Sequence, residues 1–115
     1  MTALDNLLKS YRNGTALSCV TAYDASIAKY LETQGVNIVL VGDSLGQVIK
    51  GDKSTHNVSF EEITYHAKCV TSGTKKATVM VDLPKNTYNT KLTAFKNSKK
   101  LINNNLADLI KIEVN

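Results

Sequence analysis

Four acidic side chains and one lysine occupy positions from which they could share a chemical task. Asp24, Asp43, Asp82 and Glu113 each follow a short apolar run, and Lys111 lies two residues before Glu113. Carboxylates are the hard oxygen ligands that Mg²⁺ takes in ones or twos, together with waters and substrate oxygens. A lysine beside such an ion stabilises negative charge that develops on a bound substrate. These residue types are those of a magnesium site that acts on an anionic substrate.

A structural role for the aspartates is an equally good interpretation of spacing alone. Each of them can cap the helix or loop that follows its strand. For Asp24 capping is favoured, because Ile27, Ala28 and Leu31 follow with helical spacing. For Lys111 function is favoured, since a lysine inside an apolar strand is costly to bury.

Strand and helix patterns alternate along the whole chain. Strands are predicted near residues 17–22, 36–42, 77–82 and 108–113, with helices over 1–11, 24–34, 59–73 and 90–104 and a longer loop over 42–58. Ser59 and Glu62, three residues apart, predict a capping box at the start of the third of these helices. Strands joined by helical crossovers form a parallel sheet, either doubly wound or curved into a (β/α) barrel. Acidic residues at several strand ends favour the barrel, where those ends converge on one mouth. The segment from Gly42 to Gly46 matches no phosphate-binding glycine motif.

Composition excludes several classes of protein. The 115 residues, 43% hydrophobic and 21% charged, indicate one folded domain. The net charge is +4, from 14 basic and 10 acidic residues. All of the basic residues except Arg12 are lysines, and they are spread along the chain, so no nucleic-acid partner is expected. The apolar runs are too short to span a bilayer, so no membrane partner is expected. A cytoplasmic protein with Cys19 and Cys69 as buried, reduced thiols is predicted.

The same patterns predict which side chains are covered. Tyr23 and His66 are expected to pack in the fold, whereas His56 stays unassigned near the mouth. The last helix is expected to turn three apolar residues inward, namely Leu92, Phe95 and Ile102. The strand residues expected on the barrel's interior face are Val20, Ile38, Val79 and Ile110.

Six short motifs occur in the order and spacing of one known family. They are Thr21-Ala-Tyr-Asp24, Val41-Gly-Asp-Ser-Leu-Gly46, Gly51 with Ser54-Thr55, Tyr65-His66, Asp82-Leu-Pro84 and Lys111-Ile-Glu113. Through them the chain strongly resembles the ketopantoate hydroxymethyltransferases, from its first helix to about Glu113. The segment from Val41 to Gly46 is the most specific single piece.

The resemblance implies a complete set of expectations for the site. Asp43 and Asp82 would hold Mg²⁺, with Glu113 as a further or water-mediated ligand. Asp43, Ser44, Asp82 and Lys111 would bind the substrate 3-methyl-2-oxobutanoate. The co-substrate would be 5,10-methylenetetrahydrofolate, and its one-carbon unit would react with a magnesium-stabilised enolate. The product would be 2-dehydropantoate (ketopantoate), a precursor of pantothenate and coenzyme A.

The resemblance also implies a larger assembly than this sequence supplies. A (β/α)8 TIM barrel needs about 250 residues, so residues 1–115 are expected to be the amino-terminal half of one barrel domain, with four β/α units. The general base is expected on a later strand, beyond residue 115. The family forms homo-oligomers, decamers when full length. A truncated, non-catalytic remnant that binds only metal or 2-oxo acid is the alternative.

Four departures from the family pattern accompany the resemblance, and one of them places a charge near the expected mouth. Gly51-Asp-Lys-Ser-Thr55 replaces a usual Gly-His-Asp-Ser-Thr, and Lys85 stands where an aromatic residue is usual. Leu106 and Val114-Asn115 replace usual glycines. The expected metal and substrate positions survive all of these changes.

Overall fold

The computed structural model describes residues 2–114, which form five helices and four strands. In chain order these are α1 (Ala3–Arg12), β1 (Cys19–Thr21), α2 (Ala25–Thr33), β2 (Ile38–Val41), α3 (Leu45–Val48), α4 (Phe60–Gly73), β3 (Thr78–Asp82), α5 (Lys91–Asn103) and β4 (Leu109–Lys111). The sequence prediction is confirmed for every strand and every long helix. The short helix α3 lies in a segment that was predicted as loop.

The four strands form one parallel sheet whose order follows the chain, β1-β2-β3-β4. A doubly wound sheet requires a point where strand order reverses. Residues 2–114 contain no such reversal, so the strands form part of a barrel wall. All four carboxyl ends lie at one edge of this wall.

Local side chains fix where the connecting helices begin. Asp24 Oδ1 accepts the backbone N–H of Ile27 at 2.8 Å, which confirms that Asp24 caps α2. Ser59 and Glu62 form the predicted capping box of α4, with reciprocal bonds of 3.1 and 2.9 Å. A side chain at Gly73 would overlap the backbone of Ala25, so glycine allows α2 and α4 to pack closely.

One face of the sheet is covered by the helices and the other is open. The buried apolar side chains of the strands are Val39, Val41, Val79 and Val81, and the buried helix residues packed with them include Ala28, Ile63, Ala67, Val70 and Leu101. On the opposite face Ile38, Leu40 and Met80 are only half-buried, whereas Thr78 and Asp82 at the two ends of β3 are buried.

Of the four residues that were predicted on the barrel's interior face, three lie on the other face of the sheet. Val20 and Val79 are register partners of the buried Val39, and Ile110 is the partner of Val81, so all three lie on the helix-covered face. Ile38 alone of the four lies on the open face. The alternation of a strand predicts two faces but does not say which one the helices cover.

The prediction of which α5 side chains point inward is also wrong. Leu92, Phe95 and Ile102 are 76%, 65% and 45% exposed, whereas Leu101 is fully buried. A row of small and polar residues faces the sheet instead, and Asn97 donates from Nδ2 to the carbonyl of Thr87 at 2.7 Å. This hydrogen bond explains how a polar helix face tolerates partial burial.

The cysteines are free, as predicted, but they are not buried. Cys19 is exposed, because it opposes Ile38 on the open face of the outermost strand, and Cys69 is half-buried on α4. None of the helices within residues 2–114 combines the length and the hydropathy needed to span a bilayer.

Candidate functional site

The strand register places the predicted site residues side by side at the carboxyl ends of the strands. Val41 pairs with Val81, and Asp82 pairs with Lys111, so Gly42 and Asp43 leave β2 beside the end of β3. A methyl group at Gly42 would lie 3.8 Å from Oδ2 of Asp82. The backbone that carries Asp43 therefore runs next to the Asp82 carboxylate.

A cleft of about 560 Å³ opens at these strand ends. Asp43, Asp82 and Glu113 all line this strand-end cleft, as do His56 and Lys85. The sequence therefore predicted correctly that carboxylates from three strands converge on one mouth and that Lys85 adds a charge there. The remaining lining residues are Thr55, Leu83, Tyr88, Asn89 and Val114.

Lys111 joins two of the three carboxylates in the cleft. Its ammonium nitrogen lies 3.2 Å from Oδ2 of Asp82 and also forms an ion pair with Glu113. Partial burial acts to lower the pKa of Lys111, but the hydrogen bonds to Glu113 and Asp82 outweigh it and raise that pKa. The same contact holds the pKa of Glu113 below its usual range. The lysine is therefore a fixed positive charge at the mouth.

Asp82 is a buried carboxylate with spare acceptor capacity. Its residue is 4% exposed, and burial raises its pKa even though Lys111 acts in the opposite direction. Oδ2 accepts from Lys111, whereas Oδ1 is buried without a hydrogen-bond partner. A buried acceptor of this kind is costly unless a cation or a donor completes it.

The donor set fits a magnesium ion held by few protein ligands. Within residues 2–114 no three acidic, histidine or cysteine side chains are grouped closely enough to hold a metal ion by themselves. Asp82 pairs with Lys111 through Oδ2 and keeps the buried Oδ1 without a partner, and Asp43 lines the same cleft, so these two carboxylates are the best candidates. Mg²⁺ typically takes one or two carboxylates and completes its shell with water and substrate oxygens.

Ser44 stands just outside the lining of the cleft, and its hydroxyl meets another side chain. Ser44 Oγ lies 2.6 Å from the hydroxyl of Tyr23, which follows β1. The carbonyl of Tyr23 in turn lies 2.7 Å from Nδ1 of His66 on α4. Tyr23 and His66 do pack in the fold, as the sequence predicted, but they also reach the strand ends, which spacing did not reveal.

Tyr88 and Asn89 are cleft residues that sequence reasoning missed. Both lie in the loop between β3 and α5, after the Asp82-Leu-Pro84 motif. Neither stands at a strand end or at a helical spacing, so the sequence contains no signal that would have selected them.

The fold and the cleft together define a class of protein: a parallel α/β protein of barrel type whose strand-end mouth is lined by carboxylates and lysine. Two solved structures share this fold at 13% sequence identity. One is a phosphonopyruvate hydrolase complex with oxalate and Mg⁺⁺, with a TM-score of 0.72 over 84% of this chain and 33% of that chain. The other is 2,3-dimethylmalate lyase, a PEP mutase/isocitrate lyase superfamily member, with a TM-score of 0.75 over 97% and 40%.

Sequence comparison narrows the class to one family. The family described as ketopantoate hydroxymethyltransferase matches residues 1–115. A 3-methyl-2-oxobutanoate hydroxymethyltransferase of Janthinobacterium sp. (strain Marseille) is 44% identical over 96% of this chain and 40% of its own length. One of Idiomarina loihiensis is 41% identical over 97% and 42%. The chain belongs to the ketopantoate hydroxymethyltransferase family, and it spans about two fifths of these relatives.

Proposed function

We propose that this protein supplies the metal and 2-oxo acid part of a 3-methyl-2-oxobutanoate hydroxymethyltransferase. The reaction replaces the C3 proton of 3-methyl-2-oxobutanoate with a hydroxymethyl group from 5,10-methylenetetrahydrofolate and gives 2-dehydropantoate for pantothenate synthesis. The observation that carries the proposal is the strand-end cleft, which Asp43 lines together with the half-satisfied Asp82, the ion-pair partner of Lys111. Curated relatives of the chain have this enzyme's name.

Asp43 and Asp82 are the residues that would hold Mg²⁺. When bound, the ion polarises the keto group of the 2-oxo acid and so makes its C3 proton more acidic. The buried, unpartnered Oδ1 of Asp82 supports this assignment. Phosphonopyruvate hydrolase, which shares the fold, was solved in complex with oxalate and Mg⁺⁺. Like the proposed 2-oxo acid, oxalate carries a carboxylate next to a second carbonyl carbon.

Lys111 and Ser44 would hold the substrate's oxygens. Lys111 stays protonated at neutral pH, since its pKa is raised, and its charge attracts the carboxylate of the 2-oxo acid. Glu113 anchors the ammonium group from the solvent side. Negative charge that develops on the enolate is stabilised by the same lysine. The base that takes the C3 proton is assigned to none of residues 2–114.

Binding of the 2-oxo acid tests the proposal directly. Calorimetry should show that 3-methyl-2-oxobutanoate binds this chain in the presence of Mg²⁺ and much more weakly without it. The matched control is 3-methylbutanoate, which has the same carboxylate and branch but no keto oxygen and should not show the magnesium dependence. Equal binding of both acids would overturn the proposal.

Proton exchange separates an enzyme from a binding remnant. Mg²⁺-dependent exchange of the C3 proton, followed by NMR in deuterium oxide, is expected once the barrel carries its base, and hydroxymethyl transfer is expected once the folate is added. The free thiols of Cys19 and Cys69 support a reducing compartment such as the cytoplasm as the place of this reaction.

A further inference from the structure

We infer that Tyr23 is a positioning residue, which fixes the Ser44 hydroxyl so that its proton points to the carboxylate of the 2-oxo acid. This inference rests on the proposed function for its substrate. It concerns a tyrosine that lines no part of the strand-end cleft and lies 21 residues away from the serine in sequence.

The contact joins the ends of two neighbouring strands. Tyr23 follows Thr21, the last residue of β1, and Ser44 follows Val41, the last residue of β2. The oxygen atoms of the two side chains are 2.6 Å apart in a partly buried setting. This separation is at the short end of the range for hydrogen bonds between hydroxyl groups. A short bond away from bulk water holds the serine in one rotamer.

Ser44 has no competing local use for its hydroxyl. It occupies the residue before α3, where a serine side chain usually accepts a backbone N–H two or three residues ahead. Here its side chain makes no such bond, and its backbone is helical, with φ −57° and ψ −16°. The Tyr23 hydroxyl is therefore the contact that sets the direction of the Ser44 side chain.

The position of Tyr23 is itself fixed by contacts with His66 on α4. His66 on α4 lies with Nδ1 2.7 Å from the Tyr23 carbonyl. Since a carbonyl only accepts, Nδ1 carries the proton in this bond. The two rings also meet edge to face, with centroids 6.5 Å apart and an interplanar angle of 89°. Both the backbone and the ring of Tyr23 are thus fixed by one residue of a packed helix.

Which of the two hydroxyl groups donates the hydrogen bond between Tyr23 and Ser44 decides whether Ser44 can donate to the substrate. If Tyr23 donates to Ser44 Oγ, the serine proton is free to point to an anionic acceptor. A phenol that donates to a hydroxyl strengthens the donation that this hydroxyl makes in turn. A hydroxyl bond to a carboxylate is charge-assisted and stronger than a neutral one. Tyr23 therefore acts on the 2-oxo acid through Ser44 and need not touch it.

Four variants test the inference. Tyr23→Phe removes one oxygen and keeps the ring, Ser44→Ala removes the partner, and the double variant closes a cycle. Tyr65→Phe is the matched control, because Tyr65 also stacks edge to face on His66 but is 64% exposed. The unfolding midpoint of each variant, measured without ligand, identifies any general loss of structure.

Two readouts give the expected results. The Hα–Hβ couplings of Ser44, measured by NMR without ligand, should change from those of one rotamer to averaged values in Tyr23→Phe but not in Tyr65→Phe. Tyr23→Phe should weaken Mg²⁺-dependent binding of 3-methyl-2-oxobutanoate about fivefold to tenfold, the size of one hydrogen bond between neutral groups. It should leave the binding of Mg²⁺ alone unchanged. In the Ser44→Ala background it should have no further effect.

Some outcomes overturn the inference. Unaveraged Ser44 couplings in Tyr23→Phe would show that the tyrosine does not fix the serine, and additive losses in the cycle would show that the two act separately. If the parent chain binds no 2-oxo acid, the proposed function fails, and the Ser44 couplings alone then decide whether Tyr23 fixes the serine.

Discussion

The ammonium nitrogen of Lys111 lies 3.2 Å from Oδ2 of Asp82, and the two residues are direct partners in the register of β3 and β4. An ion pair with a buried carboxylate contributes little net stability, because desolvation of the charges offsets their attraction. This pair also leaves the second oxygen of Asp82 without a partner. The ion pair is therefore better explained by a role in ligand binding than by a contribution to the stability of the fold.

Replacement of Lys111 should affect the 2-oxo acid more than the metal ion. Lys111→Met removes the cation that faces the substrate's carboxylate, so calorimetry should show binding of 3-methyl-2-oxobutanoate weakened at least about tenfold. Mg²⁺ alone should bind with a smaller change, because an ammonium group is not a metal ligand. Lys85→Met is the control, since it removes a positive charge from the same cleft without touching Asp82. Equal losses in both variants would indicate only general charge attraction.

Removal of either proposed ligand should weaken magnesium binding. Asp43→Asn and Asp82→Asn each replace a carboxylate of the cleft with a neutral amide of the same shape, and each should lower Mg²⁺ affinity about tenfold or more. Asp24→Asn removes the same charge at a neighbouring strand end, where the side chain caps α2, and asparagine caps equally well. Its Mg²⁺ affinity should be that of the parent. A loss in Asp24→Asn as large as in the other two would assign the effect to net charge.

The sequence predicted those features that local rules determine. The caps at Asp24 and at Ser59 with Glu62 depend on side chains within three residues, and the structure confirms them. The convergence of Asp43 and Asp82 follows from parallel strands whose polar residues stand at one end. Both conclusions need only spacing and the geometry of a parallel sheet.

The remaining features depend on which surfaces meet, which spacing does not encode. The apolar stripe of Leu92 and Phe95 identifies one face of α5, but the helix turns its polar Asn97 side toward the sheet because that residue bonds to the chain before it. The contact between Tyr23 and Ser44 joins residues 21 positions apart. No local pattern distinguishes a tyrosine that makes such a bond from one that merely packs.

Acid should weaken the fold through Glu32. Its carboxylate accepts the backbone N–H groups of Lys75 and Ala77 at 2.8 and 2.7 Å, and that of Lys76 between them, so it ties the end of α2 to the start of β3. Burial acts to raise the pKa of Glu32, but these three bonds outweigh it and lower the pKa below its ordinary value of 4.5. The stabilisation is therefore present above about pH 4.5 and is lost as the pH falls through the lower value of the folded state.

Glu32→Gln measures this contribution. Glutamine keeps one acceptor oxygen but no charge, so urea unfolding at pH 7 should show a free energy of unfolding lower by about 1 kcal/mol. Near pH 3 the difference should shrink, because the parent then loses its charge as well. Glu61→Gln, at an exposed glutamate in the first turn of α4, is the matched control for the loss of one surface charge. A difference that is equal at both pH values would contradict the assignment.

Self-association is expected for this chain, because two of its strands have an unpaired edge. Within residues 2–114, β1 and β4 each pair with one neighbour, and the open sheet face between them carries half-buried apolar side chains such as Leu40 and Met80. Unpaired apolar strand edges recruit further strands, and among the residues of β1 and β4 only Lys111 is a charge that opposes this. Sedimentation velocity at micromolar protein, with reductant to exclude disulfides through Cys19, should therefore show species larger than the monomer.

Two variants locate the surface responsible. Cys19→Lys puts an inward-pointing charge on the outer edge of β1 and should shift the chain toward monomer. The double variant Leu92→Glu with Phe95→Glu charges the exposed face of α5 and places each glutamate four residues before a lysine, which supports the helix. If the edges drive association, this second protein associates as the parent does. Monomers from the α5 variant but not from Cys19→Lys would assign association to the helix face, and a monomeric parent would refute the argument from edges.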